Sequence, residues 1–359
     1  MTESEAGSGL RDLAVIGWDI GGANIKAARL TRPASDEQTL SVTVRPFEIW
    51  RDLDRLNAEL RSVADELHTE RVDALAVTMT AELSDAFRTK RQGVSFVLDA
   101  LAQALPDQRA FALDVSGHLV TLAAARTRPL DFAATNWLAS ALLVAERLAD
   151  CVLVDVGSTT ADIVPVRGGR VATTSRTDPE RLIAGELVYT GVLRTNPNTL
   201  TQWVPLRGHM CRVAAEYFTV MADVYLVLGR LSEADYTIPT PDGRARTRRA
   251  AAERLARLVC ADSELVSEEE IGTMALYLFE RQVEQVTEGL AQVLARFGRS
   301  DRAPLLAAGV GSFVAAEAGR RLGLGVIQAE ELLGETVSRA LPASAVARLL
   351  AKELAQGRL

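Results

Sequence analysis

Two stretches of the chain decide its fold: VIGWDIGGANIKAARL at residues 15–30 and CVLVDVGSTTADIVPV at residues 151–166. Each begins as an apolar run typical of a buried strand, ends that run in an aspartate and a glycine turn, and continues into a second strand. Overlaying the two at one constant offset pairs Asp19 with Asp155, Gly21 with Gly157 and Lys26 with Asp162. A repeat this widely spaced predicts two related lobes, because the period of a solenoid is only about 20–50 residues.

A third glycine turn stands near the end of the chain. There the apolar run PLLAA at residues 304–308 leads into Gly309, Val310, Gly311 and Ser312, and then into a helical pattern. An apolar run followed by aspartate and glycine also describes any tight hairpin, so one such hairpin says little by itself. Two at equivalent positions, with the third turn, favour a site for a phosphorylated ligand.

The composition is that of a soluble globular protein. Of 359 residues, 48% are hydrophobic and 24% are charged, which excludes a disordered chain and allows about two domains. The net charge of −7 argues against a nucleic-acid binder, which needs a basic face. The three cysteines are widely spaced, at Cys151, Cys211 and Cys260, which favours a reducing compartment. The polar start of the sequence and the lack of a membrane-spanning apolar run favour a cytoplasmic protein without membrane partners.

The predicted organisation has three parts. Residues 1–10 form a disordered lead, residues 11–150 a first lobe, and residues 151–359 a second lobe. We expect the second lobe to carry a helical insertion at about residues 190–300 and also the C-terminal helices. Helical spacing of apolar residues predicts helices over residues 93–105, 213–231, 246–260, 271–297 and 330–354.

The glycine turns suit a phosphorylated ligand and its metal. Glycines let backbone N–H groups approach phosphate oxygens, hydroxyl groups add donors, and an aspartate at a strand end can hold Mg²⁺ through water. The predicted ligand-binding residues of the three turns are Gly21, Gly22, Asn24 and Lys26; Gly157, Ser158, Thr159 and Thr160; and Gly309, Gly311 and Ser312. The predicted metal ligands are Asp19, Asp155 and Asp162.

Several common catalytic motifs are absent from the sequence. None of the lysines follows a glycine, so there is no Walker A loop, and GxGxxG after the first strand, HExxH and GxSxG are missing too. These absences argue against a P-loop NTPase, a dinucleotide dehydrogenase, a zinc protease of that type and a serine hydrolase.

The segments DIGGANIK (19–26), DVGSTTAD (155–162) and AAGVGS (307–312) resemble the phosphate-1, phosphate-2 and adenosine motifs of the actin, Hsp70 and sugar-kinase superfamily. The resemblance implies an α/β fold of two ribonuclease-H-like lobes around a central cleft. More narrowly, TMTAELSDAFRTKRQGV (78–94) and AATNWLASA (133–141) resemble the hydantoinase/oxoprolinase-like proteins, and among them the tetrahydromethanopterin-linked one-carbon-transfer proteins and the methanofuran-pathway synthases.

The resemblance implies a condensation that forms an aryl-alkyl ether. An (aminomethyl)furanmethanol diphosphate loses pyrophosphate, and the phenol of γ-glutamyltyramine, or of a tyrosine-derived counterpart, takes its place. Mg²⁺ is the implied cofactor, held by Asp19 and Asp155. Because a phenol has a pKa of about 10, a base is useful, and the candidates are Glu82 and Asp85, followed by Glu186.

A basic cluster at Arg88, Lys90 and Arg91 lies in the most specific of these segments. These side chains clamp the diphosphate if their loop covers the ligand, or they form an ordinary solvated loop. The sequence leaves the two open.

Two rival functions also stay open at this stage. One is an ATP-dependent kinase or hydrolase of the same superfamily, and the other is a non-catalytic regulatory or assembly protein. The predicted partners are small-molecule substrates, a diphosphate and a phenolic amine, and a homo-oligomer is left open.

Overall fold

The computed structural model describes residues 13–32, 39–67, 72–297 and 303–359. The predicted disordered lead at residues 1–10 lies outside these ranges. The chain divides into two compact units, one of Met1–Glu146 with Leu333–Leu359 and one of Arg147–Leu332. Within the described ranges, none of the helices combines the length and the apolar character that crossing a bilayer requires.

The first unit is built on a six-stranded sheet. Its elements up to the boundary are β1 (Leu13–Ile20), β2 (Asn24–Arg32), β3 (Thr39–Pro46), α1 (Leu56–Glu66), β4 (Ala74–Met79), α2 (Lys90–Ala104), β5 (Ala110–Leu113), β6 (Leu119–Thr121), α3 (Leu122–Ala125) and α4 (Asn136–Ala145). The strand order is β3-β2-β1-β4-β5-β6, with β1 antiparallel to β2 and parallel to β4.

The second unit repeats this topology. Its elements are β7 (Cys151–Val156), β8 (Ala161–Arg167), β9 (Arg170–Val171), α5 (Asp178–Ala184), β10 (Leu187–Val188), β11 (Trp203–Leu206), β12 (His209–Arg212), α6 (Met221–Val227), α7 (Arg248–Ala256), α8 (Glu268–Phe297), β13 (Leu305–Ala308), α9 (Ser312–Arg321), β14 (Val326–Gln328) and α10 (Ala329–Leu333). In its main sheet, β7 is antiparallel to β8 and parallel to β13, as β1 is to β2 and β4. Both aspartate-bearing strands are therefore central strands, and their apolar sequences follow from burial on both faces.

The C-terminal helices α11 (Glu335–Arg339) and α12 (Leu341–Ala355) belong to the first unit, not to the second lobe as predicted. Helix α12 lies directly on β1: a Cβ added to Gly17 would be 2.1 Å from the carbonyl oxygen of Ala343 and 2.5 Å from the amide nitrogen of Ala347. Small residues on both elements permit this approach. The sequence could not reveal it, because a helical pattern does not say which sheet the helix covers.

Three predicted helices differ from the structure, each for a local reason. The predicted helix over residues 213–231 shortens to α6, because the Asp223 side chain accepts a hydrogen bond from the Val220 amide at its start and Gly229, with a φ of 66°, follows its end. The residues before position 213 form the β11–β12 hairpin around Arg207 and Gly208, whose φ angles are 52° and 73°. Two positive φ values are typical of the type I′ turn that matches strand twist. The predicted helix over residues 330–354 is interrupted at Gly334, where φ is 85°. Helix α2 begins at Lys90 because the Thr89 side chain accepts a hydrogen bond from the amide of Gln92.

Candidate functional site

The first aspartate hairpin has a buried carboxylate at its centre. Asp19 is 3% exposed and lies opposite Lys26 in the β1–β2 ladder. The Nζ atom of Lys26 is 3.2 Å from Oδ2 of Asp19, whereas Oδ1 is buried and has no hydrogen-bond partner in the described part of the chain. A buried carboxylate oxygen without a donor is costly, so a cation or an ordered water would be stabilising there.

In the turn after Asp19, one of the amides expected to bind phosphate, that of Gly21, is used for a hydrogen bond within the turn. The Gly21 amide donates to the carbonyl oxygen of Asn24 over 2.9 Å, so this N–H group closes the turn and does not point at a ligand. The carbonyl oxygen of Gly22 accepts from Ile49 over 3.0 Å, and a Cβ added to Gly22 would meet nothing within 4 Å. Gly22 is therefore the open position of this turn.

The basic cluster falls into two environments. Lys90 is the first residue of α2, and its Nζ atom is 3.8 Å from Oε1 of Glu82, a side chain only 1% exposed. Arg88 and Arg91 are exposed. Of the two base candidates beside them, Asp85 is exposed and Glu82 is enclosed. The cluster is thus the start of a capped helix, not a loop, and only its lysine faces the buried carboxylate.

The second hairpin carries Asp155 near the end of β7. Its side chain is half-buried, and it lies opposite Asp162 in the β7–β8 ladder. In the turn, the Gly157 amide donates to the carbonyl oxygen of Thr160 over 2.8 Å, so it is engaged as the Gly21 amide is. The Ser158 amide has no acceptor in the described ranges, and the hydroxyl groups of Ser158, Thr159 and Thr160 lie on half-buried residues. The Ser158 and Thr159 hydroxyl oxygens are 3.4 Å apart and share one hydrogen bond, so the Ser158 amide, the Thr160 hydroxyl and one of these two hydroxyl groups are the available donors.

Asp162 is tied into a buried ion pair. The Nη1 atom of Arg181 donates to Oδ1 of Asp162 over 2.8 Å, and Nη2 donates to the carbonyl oxygen of Glu186 over 2.9 Å. Arg181 is 1% exposed. A cation approaching Asp162 would be opposed by this guanidinium charge, so the geometry does not favour Asp162 as a metal ligand. Asp155 is the better placed carboxylate of this unit.

Glu186, the reserve base candidate, is also enclosed. Its side chain is 1% exposed, and its Oε2 atom accepts a hydrogen bond from Oγ1 of Thr173 over 2.5 Å. A general base must reach the proton that it removes, so the structure does not favour this role for Glu186.

The late glycine turn lies against Asp155. Gly309 has a φ of 82°, and a Cβ there would be 2.3 Å from Oδ1 of Asp155 and 2.4 Å from the carbonyl oxygen of Val156. The Gly311 amide donates to the same Val156 carbonyl over 2.8 Å, and Ser312 begins α9. Only glycine combines this backbone conformation with this close approach, so Gly309 permits the Asp155 carboxylate to keep its place.

A further segment of the second unit was not recognised from the sequence: residues 190–194, here called the Gly191 loop. The amide of Val192 donates to the Gly157 carbonyl over 3.0 Å, and those of Leu193 and Arg194 donate to the Ser158 carbonyl over 3.1 and 3.0 Å. A Cβ on Gly191 would be 2.4 Å from the Thr159 amide nitrogen. The one sequence signal was a glycine inside YTGVLRT, which resembles no motif.

The described ranges contain no group of three His, Cys, Asp or Glu side chains placed to hold a metal ion. Mg²⁺ needs no such group, because it commonly binds to one or two carboxylates and takes waters and phosphate oxygens as its other ligands. The half-buried carboxylate of Asp155 fits that mode of binding. Asp19, in the other unit, fits it through the buried Oδ1 atom, because its partner Lys26 contacts Oδ2 and is partly exposed, whereas the Arg181 guanidinium beside Asp162 is buried.

The sequence and the fold were compared with those of known proteins. The family model of the hydantoinase/oxoprolinase family matches residues 73–353. A solved structure of acetone carboxylase in its nucleotide-free form has a TM-score of 0.57 at 11% identity, covering 93% of this chain and 70% of that chain. At this identity the likeness shows the fold alone, and it confirms the α/β fold of the actin and Hsp70 type.

Two curated relatives share one name. The (4-{4-[2-(γ-L-glutamylamino)ethyl]phenoxymethyl}furan-2-yl)methanamine synthase of Methanocaldococcus jannaschii is 35% identical over 343 residues, 95% of this chain and 99% of that protein. The synthase of the same name from Methanococcus vannielii is 32% identical over 209 residues, 57% of this chain and 92% of that protein. The chain therefore belongs to the hydantoinase/oxoprolinase family and, within it, to the family of these furan-2-yl methanamine synthases.

Proposed function

We propose that the protein is a transferase of methanofuran-type cofactor biosynthesis. It would condense an (aminomethyl)furanmethanol diphosphate with the phenol of γ-glutamyltyramine, or of a tyrosine-derived counterpart, and release pyrophosphate. The observation that carries this proposal is the 35% identity to the synthase from Methanocaldococcus jannaschii over 99% of its length. The relative's name contains the phenoxymethyl-furan ether that such a condensation would form.

The turn at residues 157–160, which follows Asp155, has groups suited to a diphosphate leaving group. When the C–O bond between the furan methylene and the diphosphate breaks, the electron pair leaves with pyrophosphate, and negative charge grows on its oxygens. The Ser158 amide and the neighbouring hydroxyl groups are donors suited to those oxygens. Mg²⁺ held by Asp155 would neutralise part of the same charge.

The phenol oxygen forms the new bond to the furan methylene and loses its proton. Of the three carboxylates considered as the base, Asp85 is exposed, whereas Glu82 and Glu186 are each 1% exposed. Asp85 is therefore the one of these three candidates whose carboxylate is open to a phenolic acceptor in solution. The Asp19 hairpin, with its paired Lys26, is the corresponding anion- and metal-binding candidate of the first unit.

The test is release of pyrophosphate from the furan diphosphate, measured with and without each phenolic acceptor. We expect pyrophosphate and ether to form in equal amounts, and only with the correct acceptor. A parallel incubation with Mg·ATP should yield no ADP. Formation of ADP without ether would replace this proposal by the kinase or hydrolase alternative.

Asp155→Asn provides the matching variant. It keeps the size of the side chain and removes the charge, so we expect turnover to fall at least ~100-fold, about 2.7 kcal/mol, with an unchanged melting temperature. Asp150→Asn is the control, because Asp150 precedes the same strand at its other end and accepts a hydrogen bond from the Gly168 amide. Equal rates for the two variants would remove Asp155 from the site.

A further inference from the structure

The Gly191 loop is held in one conformation by buried polar groups. Gln282, on α8, is fully buried, and its Nε2 atom donates to Oγ1 of Thr190 over 2.8 Å and to the carbonyl oxygen of Gly191 over 3.0 Å. Its Oε1 atom accepts from the hydroxyl of Tyr225. The Gly191 amide donates to Oγ1 of Thr195 over 2.8 Å. These bonds make the loop a rigid support, because each leaves a costly unpaired group if the loop moves.

The same loop touches both glycine turns of the second unit. It donates three backbone hydrogen bonds to the Gly157 and Ser158 carbonyls, and Gly191 approaches the Thr159 amide closely. On its other side, a Cβ added to Gly311 would be 2.7 Å from Cγ1 of Val192. The loop therefore holds residues 157–160, here called the Ser158 turn, and also supports the turn that lies against Asp155.

Arg194 is the cationic residue of the Gly191 loop. Its backbone amide donates to the Ser158 carbonyl over 3.0 Å, so its backbone is in direct contact with the Ser158 turn. Its side chain is exposed. A guanidinium group offers a planar set of donors that binds two phosphate oxygens at once. The predicted phosphate-binding residues of this unit are all uncharged, namely glycines, serines and threonines.

We propose that Arg194 binds the diphosphate on the Ser158 turn, with the Gly191 loop and Gln282 holding its backbone in position. This inference rests on the proposed function for the identity of the substrate, but it requires of the protein only that a diphosphate binds. Arg194 is a binding residue for the leaving group, and Gln282 is a positioning residue that acts through the loop.

The experiment measures binding of inorganic pyrophosphate in the presence of Mg²⁺ by titration calorimetry, with the full chain. Arg194→Ala should raise the dissociation constant by about 10–100-fold, and Arg194→Lys should recover part of the loss because it restores the charge without the second donor. Arg170→Ala is the matched control, since Arg170 is an exposed arginine on β9, beside the end of β8 that is opposite Asp162. Its dissociation constant should stay within about twofold of the parent value.

The proposal is overturned if Arg194→Ala binds pyrophosphate as the parent protein does, or if the parent protein binds no pyrophosphate. Its failure is distinguishable from failure of the proposed function. Loss of pyrophosphate binding in Arg194→Ala, in a protein that does not turn over the furan diphosphate, supports the binding site and rejects the reaction. Normal turnover of the furan diphosphate by both proteins, with equal KM values, rejects the role of Arg194 alone.

Discussion

Replacing Gly309 by alanine should displace the Asp155 carboxylate. The added Cβ would lie 2.3 Å from Oδ1 of Asp155 and 2.4 Å from the carbonyl oxygen of Val156, distances far below van der Waals contact. The Val156 carbonyl also accepts the Gly311 amide over 2.8 Å, so it cannot withdraw without weakening that bond. The side chain of Asp155 is the part that can rotate, and we expect it to do so.

The size of the effect follows from two contributions. An alanine at the observed φ of 82° carries a left-handed backbone, which costs about 1–2 kcal/mol. Forcing a methyl group into an occupied space costs a further ~1–3 kcal/mol. The sum of about 2–5 kcal/mol corresponds to a fall in melting temperature of roughly 4–20 °C for a unit of this size. Because a misplacement of about 1 Å can cost ~100-fold in rate, turnover should fall by a similar factor.

The assay is thermal unfolding together with the release of pyrophosphate from the furan diphosphate. Gly157→Ala is the matched control, because a Cβ at Gly157 has its nearest neighbour, the Thr160 carbonyl oxygen, at an ordinary 3.5 Å. That variant should melt within about 2 °C of the parent protein, since its backbone is not left-handed. If Gly309→Ala melts and turns over like the parent, then Gly309 does not hold Asp155 in place.

Two further outcomes are expected. Lys90→Ala should lower the free energy of unfolding by about 1–2 kcal/mol in urea titrations, because it removes the cation 3.8 Å from the enclosed Glu82 carboxylate. Arg91→Ala, at an exposed position, should change that free energy by less than ~0.5 kcal/mol. Equal effects of the two substitutions would show that the Lys90–Glu82 pair is not formed. Burial raises the pKa of the Cys151 thiol to about 12. Iodoacetamide at pH 8 should therefore label the exposed Cys260 in the native protein and Cys151 only after unfolding, as measured by peptide mass analysis. Rapid labelling of Cys151 in the native protein would contradict its burial.

The hairpins were predictable from the sequence because their signals are local. A strand buried on both faces must be apolar throughout, and a tight turn must contain glycine, so both hairpins could be recognised from about sixteen consecutive residues each. The repeat then predicted two related lobes, and the structure places β1 and β7 in equivalent central positions of two sheets. The family resemblance rested on the same local segments, and the family was confirmed.

The partners of charged side chains were not predictable in this way. Asp162 looked like a metal ligand until the structure placed the Arg181 guanidinium 2.8 Å from it. Arg88, Lys90 and Arg91 looked alike as a cluster, yet only Lys90 lies beside the enclosed Glu82. A charge pattern indicates which charged side chains are near one another along the chain. The solvation and the ion pairs of these side chains depend on which groups are near them in space.

By itself, the sequence determined the two aspartate hairpins, the late glycine turn and the family, since backbone geometry and strand burial constrain consecutive residues. Only the tertiary structure decided that α12 covers β1, that Gly309 lies against Asp155, and that the Gly191 loop supports the Ser158 turn. These contacts join residues far apart in the chain. They are selected by close packing and by pairing of buried polar groups, which leave no periodic pattern in the sequence.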